Sequence, residues 1–215
     1  MTNFRDYSQH GESLVLDELF QKIGTVNQYG VEFGASDGYW FSNLRFFLES
    51  RNWTGLQMEG VKDPVNGVKS EFITAENINL LFDKYGVPNS FDLLSIDIDG
   101  NDYWVWKEIS RQPNVVVIEY NSNFGIDEDM ILEYHPNNAF DGSYAYSASV
   151  KALCSLASSK GYYLYEELDY CNLIFVKNDK LSIASPKTSI ESLGKKLPHH
   201  QHGRNLGGRK FVCSP

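Results

Sequence analysis

Short apolar runs alternate with segments of helical period along the first 180 residues. Leu16, Leu19, Phe20 and Ile23 recur at helical spacing before Gly24, which predicts a helix over residues 6–23. Residues 29–33 and 55–58 are brief apolar runs and read as strands. Between them, Ser42 offers a cap for a helix over 43–51. Residues 71–73 predict a third strand and 76–85 a helix, which Gly86 and Pro88 end. Leu93, Leu94, Ile96 and Ile98 mark a buried fourth strand, followed by a helix over 102–109. The β-branched run at 115–119 is a fifth strand. Residues 120–142 carry no period, and a loop of that length in a compact domain is usually functional. A helix over 147–160 and an antiparallel hairpin, 162–166 with 171–176, close the pattern.

Alternation of strand and helix predicts an α/β fold, a doubly wound and mostly parallel sheet covered on both faces. Ligands in such folds sit at the carboxyl ends of the strands. Asp37, Glu59, Asp97, Asp99 and Glu119 all end strands or follow them, so one crevice can gather them. Residues 1–180 form a single domain in this reading. Residues 181–215 form an irregular arm holding three of the five histidines, His199, His200 and His202, which can bind metal adventitiously.

The chain has 215 residues, enough for one full core. A net charge of −9 disfavours phosphate backbones, so nucleic acid is not an expected partner. No apolar run is long enough to cross a bilayer, and the first residues lack the apolar centre of a signal peptide. Cys154, Cys171 and Cys213 are odd in number and lack metal-ligand spacing, which predicts reduced thiols and a cytoplasmic location. The 13 Tyr, 13 Phe and four Trp are read chiefly as core.

Three constellations carry chemistry. Val31-Glu32-Phe33-Gly34-Ala35-Ser36-Asp37-Gly38 is a strand running into a glycine turn, where backbone can approach a ligand closely. It lacks the Gly-x-Gly-x-x-Gly of dinucleotide sites. Glu59 ends the second strand, where an acid commonly accepts ribose hydroxyls. Turn and acid together favour an adenosine-containing ligand without a pyrophosphate. The third constellation places Asp97, Asp99, Asn101 and Asp102 within six positions. It admits four readings. Asp97-x-Asp99 matches the Asp-x-Asp of metal-dependent glycosyltransferases. Asp97, Asp99, Asn101 and Glu108 sit at calcium-loop offsets, but Asp102 stands where that loop needs Gly. Asn101 or Asp102 can cap the next helix. Asp97, with Glu119 and Asn121 from the neighbouring strand end, can offer oxygen ligands to Mg²⁺ or Mn²⁺, and this reading is favoured for Asp97.

These segments carry a resemblance. Phe72-Ile73-Thr74-Ala75-Glu76-Asn77-Ile78, the run 91–106 and Val116-Val117-Ile118-Glu119-Tyr120-Asn121 resemble FkbM-type S-adenosylmethionine (SAM)-dependent methyltransferases. Ser8-Gln9-His10-Gly11-Glu12 and Trp53-Thr54-Gly55-Leu56 are similar to family segments too. Many relatives have Glu-Pro after the second strand, where this chain has Glu59-Gly60. The resemblance implies a class I methyltransferase fold of seven strands, Rossmann-like, with the last antiparallel. It implies SAM along the turn (Glu32, Gly34, Ala35, Asp37, Gly38) and at Glu59, with Glu76 or Asn77 near the adenine. It also implies a sugar or glycan hydroxyl as acceptor.

A divalent ion at Asp97, Glu119 and Asn121 would then lower the acceptor's pKa. Asp99 is the expected general base, with His135 second. The expected partner is a small-molecule or glycan substrate. A glycosyltransferase using Asp97-x-Asp99, or a methyltransferase-like domain without catalysis, are the alternatives.

Overall fold

The computed structural model describes residues 5–60, 65–194 and 207–215. The elements run α1 (Glu12–Ile23), β1 (Tyr29–Phe33), α2 (Arg45–Ser50), β2 (Thr54–Glu59), β3 (Lys69–Ser70) and α3 (Ile78–Lys84). They continue with β4 (Ser90–Ile96), α4 (Asp102–Glu108), β5 (Gln112–Glu119), β6 (Ile131–Leu132) and α5 (Val150–Ser159). The chain ends with β7 (Tyr162–Leu168), β8 (Asn172–Lys177), a 3₁₀ turn at Asn178–Lys180, α6 (Ile190–Leu193) and β9 (Phe211–Val212).

Seven strands form one sheet in the order β3-β2-β1-β4-β5-β8-β7. Pairing is parallel from β3 through β5, and β8 runs antiparallel to both β5 and β7. This is the mostly parallel α/β sheet with an antiparallel last strand that the sequence predicts. Alternate residues of β4 and β5 face opposite layers. Leu94, Ile96, Val116 and Ile118 pack with α3, α4 and α5. Leu93, Val115 and Val117 pack with α1 and α2. Both faces are thus dry, which explains the continuous apolar runs of these strands. No helix among the described residues is long and apolar enough to cross a membrane.

Several boundaries differ from the pattern reading, each for a local reason. The first helix starts at Glu12, not at residue 6, because Gly11 sits at φ 87° and the Glu12 carboxylate accepts the His10 N–H. The third strand is Lys69–Ser70, beside Met58 and Glu59; Ile73 instead turns into the core ahead of α3. Neither Asn101 nor Asp102 caps α4. Asp102 reaches back to accept the N–H groups of Ile98 and Gly100, which folds the loop rather than the helix. The segment expected to be irregular contributes α6, and β9 pairs with β6. His199, His200 and His202 lie outside the described residues.

One buried carboxylate ties the sheet's entry edge together. Asp92 is fully buried, and accepts the N–H groups of Val26, Asn27 and Gln28 at 2.7, 3.0 and 2.7 Å and the Asn114 amide at 2.9 Å. Removing it leaves four donors without their acceptor, the buried Asn114 amide among them. Asp92→Ala is expected to cost about 3–5 kcal/mol in urea unfolding. Asp83→Ala, which loses a surface contact to Arg111, should stay within about 0.5 kcal/mol. Equal costs would show that the Asp92 network does not hold the edge.

Candidate functional site

The sheet order reverses between β1 and β4: the chain moves outward through β2 and β3, then returns to build β4 and β5. A crevice of about 510 Å³ opens at this reversal, over the carboxyl ends of the parallel strands. Phe33 of β1 and Gly34 of its turn, Met58 and Glu59 of β2, Ser95 of β4 with Asp97 just after it, and Glu119 of β5 all line it.

The β1 turn has to be glycine at its tightest point. Gly34 has φ 67°, and a Cβ there would lie 1.5 Å from the Asp97 carbonyl oxygen. The two strand-end turns therefore touch through backbone. Beneath them lies a polar network. Glu32 is buried and accepts Ser42 Oγ (2.6 Å), Gln57 Nε2 (2.7 Å) and the backbone N–H groups of Asn43 and Leu44. Arg45 donates to the Gly38 carbonyl at 2.5 Å and to Gln57 Oε1 at 2.8 Å. Ser42 Oγ also accepts the Arg45 N–H, a start for α2 from the side chain that the sequence marks as its cap. Glu32 thus shapes the turn through bonds that occupy both its oxygens.

Asp97, Asp99 and Glu119 come together, each with a ligand-type oxygen within 4.8 Å of the others. Asp99 holds a left-handed backbone at φ 57°, which Asp tolerates better than most residues. Burial raises the Glu119 pKa well above the ordinary range, with Asp97, Asp102 and Asp99 adding repulsion. Burial likewise raises Asp97, and Asp102, Asp99, Glu32 and Glu59 add to it. Asp99 is raised by desolvation and then by Glu59. Asp102 is pushed up to about 6 by burial, against hydrogen bonds that lower it. Glu119 Oε2 is buried with no hydrogen-bond partner. A buried acceptor rarely stays unpaired without a reason.

Among the described residues, the charged groups lining the crevice are all acidic. Its acids are Glu32, Glu59, Glu71, Asp97, Asp99 and Glu119, and no Lys, Arg or His lines it among the described residues. Three hard-oxygen donors at this spacing, one of them orphaned, suit a divalent cation.

Other predicted residues fall elsewhere. Asn121 does not join the carboxylates. Its amide donates to the Tyr144 and Tyr146 carbonyls, and its oxygen accepts from Asn123, so the side chain is consumed in folding the 120–147 loop. His135 is exposed and does not line the crevice; its ring accepts the Asn137 N–H and its carbonyl takes the Asn101 amide. Asp37 Oδ1 accepts the N–H groups of Tyr39 and Trp40, and these bonds hold its pKa low. Ala35 and Gly38 shape the turn through a 2.6 Å backbone bond. Glu59 lines the crevice and accepts the Ser36 and Gly60 N–H groups. Glu76 and Asn77 lie outside the crevice wall: Glu76 accepts the Tyr134 hydroxyl, while Asn77 braces the Phe72–Thr74 bend.

Pattern reading missed Gln57 and Ser95, polar residues inside otherwise buried strands, which was the available signal. It also missed Gln9 and Asn172, which reach the crevice from segments far apart in sequence.

Comparison with known proteins finds distant matches among solved structures alone. No family model matches the chain, and no curated protein matches it. Among solved structures, the N-terminal domain of EvdMO1 with SAH bound aligns at 14% identity and TM-score 0.46, over 77% of this chain and 80% of that one. A SAM-dependent methyltransferase from Clostridium acetobutylicum ATCC 824 aligns at 11% and 0.42, over 80% and 92%. An O-methyltransferase family protein from Burkholderia thailandensis aligns at 9% and 0.41, over 77% and 54%. Identities and scores of this size carry no inference about activity, which has to come from the side chains themselves.

The carboxylate cluster makes a signed prediction. The folded pKa of Glu119 lies above its unfolded value. Between the two values the folded chain binds more protons, so stability falls as pH rises through that window, and the penalty is complete above it. In chelator, Glu119→Gln should therefore raise the melting temperature at pH 8, by about 2–4 °C per kcal/mol of relieved repulsion, and much less at pH 4. A variant that melts lower than wild type at pH 8 would contradict this.

Proposed function

We propose that the chain is a SAM-dependent O-methyltransferase acting on a sugar or glycan hydroxyl, with a divalent cation at Asp97, Asp99 and Glu119. The single observation that carries the reading is the crevice at the strand-order reversal, whose charged lining among the described residues is all acidic. Such a floor favours ligands that bring positive charge, and SAM carries a sulfonium. Glu59 at the end of β2 is positioned to accept ribose hydroxyls, with Phe72 and Ile73 forming an apolar wall beside it for the adenine. The glycine turn lets backbone approach the ligand where Gly34 meets Asp97. The FkbM-type resemblance and the sugar acceptor belong to this proposal. Exposed Trp40 and Phe41 at the crevice offer faces on which a sugar ring can stack.

The chemistry divides among the chain's own residues. Gly34 and Glu59 would hold the donor's nucleoside end. Asp97, Asp99 and Glu119 would hold the cation, which would supply a lowered acceptor pKa. The acceptor oxygen attacks the methyl carbon as the carbon–sulfur bond breaks, giving a methyl ether and S-adenosylhomocysteine (SAH). The hydroxyl proton goes to Asp99, whose proton affinity burial and then Glu59 raise. Alignment of the two reactants can supply up to about 7–11 kcal/mol of the barrier reduction.

Calorimetry with SAH tests the donor half. Glu59→Ala is expected to weaken SAH roughly 10- to 100-fold, the value of a hydrogen bond to a charged group. Unchanged affinity would remove Glu59 from the ribose. A screen of methyl glycosides with SAM tests the acceptor half: turnover should vanish in Asp97→Ala and in EDTA, and return with Mn²⁺. Full turnover in EDTA would remove the cation. Binding of UDP-glucose instead of SAH would favour the Asp97-x-Asp99 glycosyltransferase, and binding of neither would favour a non-catalytic domain.

A further inference from the structure

The outer wall of the crevice is Asn138, Ala139 and Phe140, part of the long segment that follows β5. This wall has no secondary structure of its own. On its inner side it rests on the β4–α4 turn. Asn138 Nδ2 donates to Asn101 Oδ1 at 3.1 Å, and a Cβ at Gly100 would meet the Asn138 Cβ at 3.2 Å. Its outer side is held by the far end of the chain. Arg209 donates to the Ala139 carbonyl at 2.6 Å and to the Ala145 carbonyl at 3.2 Å, and its Nε lies 2.9 Å from Asp141 Oδ2. β9 pairs Val212 with Ile131 and Phe211 with Leu132, and the Glu133 N–H donates to the Lys210 carbonyl at 2.9 Å. Ser214 closes the strap on Asp129.

We infer that this C-terminal strap sets the acceptor side of the crevice, with Arg209 as a positioning residue. Arg209 itself does not line the crevice. It spans three partners on both sides of the 139–145 bend, which a guanidinium does and a single ammonium does not. What it positions is Phe140, 63% exposed, which shares the crevice with Trp40 and Phe41, 71% and 61% exposed. Large aromatic side chains left this open around one acidic crevice form a rim for a ligand with an apolar face and polar edges. The donor side is built by other elements, β1, β2 and the bend before α3. The strap therefore affects acceptor and not donor. This assignment of roles rests on the methyltransferase reading; the mechanical coupling of Arg209 to the wall does not.

Hydrogen exchange, SAH calorimetry and methyl glycoside kinetics on the full chain separate the two. In Arg209→Ala, amide exchange over residues 133–146 should rise at least tenfold, with β1, β4 and β5 unchanged. SAH affinity should stay within twofold, while KM for the glycoside rises about tenfold and kcat changes less than threefold. Arg209→Lys should recover only part of the loss. A chain ending at Gly208, which lacks β9 as well, should show the larger effect. Unchanged exchange over 133–146, or a parallel loss of SAH affinity and global stability, would overturn the strap. If wild type turns over no glycoside, the sugar reading fails alone, and the exchange and SAH measurements still decide the role of Arg209.

Discussion

Uncompensated negative charge is the constraint around which this molecule is organised. Parallel strands deliver their last residues to one end of the sheet, and in β4 and β5 those ends carry Asp97, Asp99 and Glu119. Among the described residues, no basic side chain lines the crevice to meet them. Desolvation and mutual repulsion both push their proton affinities up, and Glu119 keeps a buried oxygen without a partner. A stable fold tolerates such a cost where function uses it.

The rest of the architecture keeps that cluster open and shaped. Two dry layers hold β4 and β5 rigid from both faces. The Glu32–Gln57–Arg45 network fixes the turn after β1, and Gly34 brings its backbone against Asp97. Asp102 folds the loop that carries Asp99 by taking two backbone donors. Glu32, Gln57, Arg45 and Asp102 serve geometry through internal bonds, while Glu119 Oε2 at the crevice keeps no partner.

Much of this was legible in the sequence because period and strand-end chemistry are local signals. The buried runs 93–96 and 115–119 announced central strands, and acids directly after them announced the crevice. Asp97 and Glu119 could be paired because parallel register puts adjacent strand ends side by side. Asn121 sits apart from the carboxylates for a physical reason. Two residues beyond the strand the chain has already turned, and an amide that can both donate and accept is better spent on loop carbonyls. His135 and Glu76 lie off the crevice wall, since loop positions are fixed by contacts that no period encodes. Arg209 was invisible, because its partners lie some 64 to 70 positions away in sequence.

The claim that the acidic crevice exists to hold positive charge can be tested without knowing the acceptor. Electron paramagnetic resonance of Mn²⁺ titrated into the metal-free chain, with and without SAH, reads it directly. A single saturable site that is lost in Glu119→Gln and in Asp97→Asn is the expected result. Free-ion signal throughout the titration, or binding that survives both substitutions, would contradict it.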